Sequence, residues 1–156
     1  VYKSQMYEAI EIYKDDVEGR LNQLKQNFSF FGAPAGMLVT VEKEVDLNGW
    51  GHVGHFLQNI CLSSMEFGLG TCLQESWSMY PETVKKIINF SDSEILWCGI
   101  ALGYPNEEHA INSYRTPRED LKNFAKFLYE SIDQNCQVLI FNIFTKFEFA
   151  ISIGYI

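Results

Sequence analysis

The 156-residue chain is short of positive charge: twelve Lys and Arg stand against twenty Asp and Glu, for a formal charge of −8, and only three of the twelve are arginine. No basic stripe exists to neutralise phosphates, which excludes a nucleic-acid partner, and an acidic balance otherwise serves solubility. The segment after Val1 is polar and has no apolar signal-peptide core. The most apolar stretch near the end, Asn135 to Phe144, is too short between polar residues to span a membrane, which takes roughly 20 apolar residues. No membrane partner is expected. Cysteine is sparse and unpatterned: Cys61, Cys72, Cys98 and Cys136 show no framework spacing, and three lie in apolar runs where a thiol acts as a small hydrophobe. A reducing compartment, the cytoplasm, follows as the default. Repeats, linkers and low-complexity runs are absent.

Several chemistries fail for want of residues. His52 and His55 lie three apart and Cys61 follows, but no second cluster completes a metal shell. A nucleophilic Cys72 has no motif behind it. Gly68-Leu69-Gly70 with Gly103 does not make the glycine-rich strand-to-helix turn of a dinucleotide site.

What is present begins with Gly49 to Gly70, where Glu66 is the one formal charge. Trp50, Val53, Phe56, Leu57, Ile60, Cys61, Leu62, Met65 and Phe67 wrap most of the way round a 3.6-residue helix, so it should be buried on several sides. Gly51 and Gly54 each cost roughly 1 kcal/mol of helix propensity relative to Ala. Their presence points to a close backbone approach by another element, a subunit interface being one natural place. Gly68-Leu69-Gly70 stops the helix, and the β-competent Thr71 to Gln74 follows.

With 47% hydrophobic and 15% aromatic residues the chain can fill a core, and its length fits one domain. The pattern predicts helices over 4–14 and 16–27, the second capped by Asp15 or Asp16, with Met6, Tyr7, Ile10 and Tyr13 inward on the first. Strands are expected over 37–42, 71–74 and 95–102. Further helices are expected over 50–67, 81–88 and 117–127, with Pro81 and Pro117 where a missing N–H is tolerated. The class is α+β, helices packed on a mixed, mainly antiparallel sheet.

Asn27-Phe28-Ser29-Phe30-Phe31-Gly32-Ala33-Pro34 leads into the strand at Met37 to Val41. The helix and its Gly-Leu-Gly stop follow, then Tyr80 to Val84, Cys98 to Pro105 and Asn112 to Glu119. In order and spacing these words resemble the FMN-dependent nitroreductase family over about Tyr2 to Phe127. The resemblance implies a homodimer with the 50–67 helix in its interface, bound FMN, and hydride transfer from NAD(P)H through the flavin to a nitroaromatic or quinone-type acceptor. No acid–base side chain is required, since the flavin carries the chemistry. By the same resemblance the turn Gln74-Glu75-Ser76 places backbone N–H groups near the flavin N5 and O4, where a donor stabilises arriving negative charge. The bland alternative is that these residues only cap the next helix. Arg115, and after it Arg118, would contact the FMN phosphate, since a guanidinium forms paired charge-assisted bonds there. Alternatively Arg118 pairs with Glu119 or Asp120. The Phe28, Phe30 and Phe31 cluster reads as core, although its position before Gly32-Ala33-Pro34 could place one ring near the substrate.

The family's usual opening, an Arg-Ser-x-Arg segment and a Pro-Ser-x-x-Asn-x-Gln-Pro segment around the flavin, does not occur. The chain therefore reads as a partial domain over 1–127 lacking the N-terminal flavin segments, followed by an atypical apolar extension over 128–156. That extension is either an aberrant terminus or a strand that adds to a sheet edge. The alternative function is a non-catalytic remnant that folds or dimerises without flavin.

Overall fold

Three apolar runs pair into the sheet that organises most of the chain. In the computed structural model, which describes residues 2–123, 125–133 and 136–143, β1 is Ala35–Glu42, β2 is Gly70–Gln74 and β3 is Glu94–Gly103. β3 lies in the middle, antiparallel to both neighbours. The described strands thus supply the antiparallel part of the expected sheet. β3 is the central strand because its residues from Cys98 to Ala101 are all buried, as a strand covered on both faces must be. The register sets Met37 against Ile100, Val39 against Cys98 and Leu73 against Ile100, so these side chains share one face.

That face receives α3, Leu47–Glu66. Leu57 is buried with Cys98 and Ile100, and Ile60, Met37, Val39 and Leu73 pack around them. Burying a side chain such as Leu57 is worth about 1.5–3 kcal/mol, which fixes the helix on the sheet. Asp46 starts α3 three residues before the apolar period begins. Its carboxylate accepts the Gly49 N–H at 2.7 Å, an N-cap of the usual kind. Gly68 ends it at φ +68. The Gly68 N–H donates to Met65 O and the Leu69 N–H to Ser64 O, both at 3.0 Å, the paired bonds of a Schellman stop.

The expectation that α3 is buried on several sides does not hold among the described residues. Phe56, Leu62, Met65 and Phe67 are exposed, Phe67 at 70%. A Cβ at Gly51 or Gly54 would meet nothing within 4 Å, so no described element makes the close approach that those glycines implied.

The first helix, α1, covers Tyr2–Glu8 rather than reaching residue 14. The chain turns over at Glu11, whose φ of 60 is left-handed. Met6 is buried as expected, whereas Tyr13 is exposed. In α2, Val17–Lys25, Asp16 is the N-cap and accepts from the Gly19 N–H at 2.8 Å. A 3-10 segment, Gln26–Gly32, follows, and a second, Glu75–Met79, follows β2. α4, Pro81–Lys85, has Pro at its first turn, and α5 is the single turn Ala110–Ser113.

The described residues divide into two compact units, one within 2–114 and the other within 115–143. The expected helix over 117–127 is not formed in the second unit. Instead a single 3-10 turn, Leu121–Asn123, leads to β4, Ala125–Asp133, and β5, Cys136–Ile143, an antiparallel hairpin. Asp120 closes that turn locally: its carbonyl accepts the Asn123 N–H at 2.8 Å and its carboxylate pairs with Lys122. An eleven-residue helix without a packed face is marginal in water, and these local bonds compete with it. Residues 144–156 of the apolar extension lie outside the described residues.

Candidate functional site

The face of the sheet opposite α3 carries several small residues. Gly36 and Cys72 both lie against Ala101, and Gln74 lies against Gly99. Phe31 is buried on Cys72 and Ala101 with Phe30 and Ala33 beside it. The two phenylalanines reach this position through unusual backbone: φ is 51 at Phe30, 54 at Phe31 and 79 at Gly32. Left-handed conformation in an L-residue costs roughly 1–2 kcal/mol each, and packing on the sheet holds it. A Cβ on Gly36 would run into the Phe30 ring, so glycine there makes room for the ring.

At the end of β2 the chain turns through Gln74, Glu75 and Ser76 into the 3-10 segment. Gln74 is 1% exposed, Ser76 half-buried and Glu75 exposed. Gln74 stands at the N-cap position of this segment, and among the described residues no side chain caps its first N–H groups. The carboxamide instead accepts the indole N–H of Trp77, Nε1 to Oε1 at 3.1 Å. Trp77 stacks on Phe30 with centroids 4.9 Å apart and planes at 27°, and meets Phe28 edge-on at 5.4 Å. Phe28 in turn meets Tyr80 at 5.1 Å. The ring of Trp77 occupies the space that a Cβ on Gly99 would need. Nothing local in the sequence marks Trp77 for this role; Gly99 carries a signal, since a glycine interior to an apolar strand marks a close approach.

Near the turn, burial pushes the Cys98 thiol up to about 11, with Glu75 and then Cys61 adding to the rise. A thiol held neutral this way is a poor nucleophile. Cys72 is buried as well. His52 and His55 are exposed on α3, and among the described residues no group of three His, Cys, Asp or Glu side chains is placed to hold a metal.

The structure brings Gln74, Glu75 and Ser76 together as one turn on a fixed strand end. Arg115 and Arg118 belong to the second unit, in the irregular segment that opens it, and both are exposed. The Arg118 guanidinium donates to Thr116 O at 3.0 Å and to the Thr116 hydroxyl. The carboxylates proposed as its alternative partners are engaged by others, Glu119 by Asn123 and Asp120 by Lys122.

Residues 2–104 match the nitroreductase family. A 4-nitrobenzoate reductase of Pseudomonas putida is 36% identical over 122 residues, 78% of this chain and 54% of that protein. Among solved structures, the FMN and NADPH-dependent nitroreductase NfnB of Sphigopyxis sp. strain HMH aligns with a TM-score of 0.75 at 34% identity, over 78% of this chain and 55% of that one. The FMN-dependent nitroreductase NfnB of Mycobacterium smegmatis, in complex with NADPH, aligns with a TM-score of 0.76 at 25% identity, over 81% of this chain and 57% of that one. The chain spans about half the length of the relatives it matches. No described helix is long and apolar enough to cross a membrane. With two-thirds of its length matched and the expected helix, glycine stop and strand all in place, the chain belongs to the nitroreductase family.

Proposed function

We propose that the chain is part of an FMN-dependent oxidoreductase that passes hydride from NAD(P)H through the flavin to a nitroaromatic or quinone-type acceptor. The observation that carries this reading is the turn at Gln74 to Ser76, whose first backbone N–H groups no side chain caps. Donors fixed to a strand end whose last residue, Gln74, is buried suit the ring edge of a flavin, where negative charge arrives on reduction. Relatives described as FMN and NADPH-dependent support the choice of cofactor and donor.

Bound FMN would supply the two-electron chemistry itself. The chain's own part is to hold and orient. Glu75 and Ser76 would present main-chain donors, for which their side chains matter little, although Ser76 narrows the adjacent face. Arg115, and second to it Arg118, would contact the phosphate through charge-assisted bonds. The exposed apolar face of α3, with Phe56, Leu62, Met65 and Phe67, supports pairing with a second copy as a homodimer. A reducing cytoplasm, where buried thiols stay unoxidised, fits the same picture.

Retention of yellow FMN by the purified chain after desalting, followed by NAD(P)H-dependent reduction of 4-nitrobenzoate, tests the reading. Arg115→Ala should weaken FMN more than riboflavin, because only FMN carries the phosphate. A folded dimer that retains no flavin at high micromolar FMN would favour the second reading, a non-catalytic remnant. The exposed face of α3 supports that reading equally, since it needs only a partner.

A further inference from the structure

The Gln74 carboxamide makes one bond and leaves another unmade. Its Oε1 accepts the Trp77 indole N–H, while its Nε2 is buried with no hydrogen-bond partner among the described residues. A leucine would fill that space without burying an unpaired amide, so the glutamine is explained by the bond to Trp77 rather than by packing. That bond joins positions i and i+3 and therefore spans Glu75 and Ser76 as a side-chain staple. Trp77 is held in turn by the gap at Gly99, by the Phe30 stack and by the edge of Phe28. Phe30 keeps its place in a left-handed backbone, and strained residues of this kind persist only where the surroundings over-determine them.

We infer that Gln74 is a positioning residue: through Trp77, seated on Gly99, it fixes the peptide groups of Glu75 and Ser76 in the geometry that meets the flavin edge. The inference rests on the flavin reading for its purpose, but the staple itself belongs to the chain without ligand. A side-chain staple is the device such a turn needs. A capping side chain would fix it equally well but would occupy the N–H groups it is meant to present.

The test uses the full chain and four variants: Gln74→Leu, which removes the acceptor, Trp77→Phe, which removes the donor and keeps a ring, their combination, and Gln74→Glu, which restores acceptor oxygens. Backbone amide order parameters of Glu75 and Ser76 are followed by NMR relaxation without ligand, with Ile100 in β3 as the internal control. Gln74→Leu and Trp77→Phe should each lower the order parameters of Glu75 and Ser76 from the rigid range of about 0.85 toward the flexible range below about 0.6. Ile100 should be unmoved, Gln74→Glu should restore the rigid values, and the double variant should be no more mobile than either single one, since both remove the same bond. Unchanged order parameters at the two amides, or effects that add in the double variant, would overturn the inference. Should Gln74→Leu fail to fold, Trp77→Phe with Gln74→Glu decides alone. FMN titration of the same proteins separates the two readings. Weaker FMN binding in the stapleless variants supports both, whereas absence of binding in every protein, with the mobility pattern intact, removes the flavin reading and leaves the staple supported.

Discussion

Thr40 on β1 donates to the Glu94 carboxylate on β3 at 2.6 Å, a bond that ties an edge strand to the central one. This bond, with the Ser91 N–H at the same carboxylate, holds Glu94 below its ordinary value of 4.5. A carboxylate whose folded-state value is lowered gives stability that is present above its unfolded value and is lost as pH falls through the folded one. Thr40→Val should therefore cost stability at neutral pH, and the difference from the parent should shrink as pH falls below 4.5. Urea melts at several pH values check this, and a difference that is constant with pH would contradict the assignment. Asp92, lowered by its bond to Lys85, titrates in the same direction and is unaltered by the substitution. Pairings of this kind were not legible in the sequence, because Thr40 and Glu94 are 54 positions apart and nothing local marks them as neighbours.

At the scale of elements, the ends of α3 show what the sequence carries and what it conceals. The stop was readable because a glycine after a periodic apolar run has a specific backbone use, and Gly68 at φ +68 fulfils it. Gly68→Ala should cost about 1 kcal/mol, since alanine resists the left-handed region. A fall in the denaturation midpoint with unchanged slope is the expected record. The start was missed because Asp46 lies before the apolar period and acts through a cap, not through burial; Asp46→Ala should cost a similar ~1 kcal/mol. The failed helix over 117–127 has the opposite cause. Pro117 and the charged residues after it look like a helix start, but the bonds of Asp120 and Glu119 to Lys122 and Asn123 close a single turn and leave the following residues to β4. The three sheet strands were legible to within two residues, because buried apolar runs with glycine at their ends admit few other structures.

Across the whole molecule, α3 is covered on one face by the sheet and bare on another. Its all-round apolar sequence predicts a helix with several covered sides, and among the described residues the sheet packs on the stripe through Leu57 and Ile60. A second copy is the proposed cover. Leu62→Lys with Met65→Lys should shift the chain from dimer to monomer in size-exclusion chromatography at micromolar concentration. A parent chain that is already a well-folded monomer would contradict the interface. A turn at Gln74 to Ser76 follows the short strand that the sequence predicts before it, but the indole, the glycine gap and the left-handed phenylalanines that hold it arise from three separate stretches of chain and become visible only once the sheet is assembled.

The most direct measurement is a titration of the isotope-labelled chain with FMN, followed at the backbone amides of Glu75 and Ser76. A flavin edge seated on the turn shifts these two resonances saturably, ahead of amides elsewhere in β2 and β3. FMN that binds without moving them, or a chain that binds no FMN at high micromolar concentration, contradicts the placement of the cofactor on this turn.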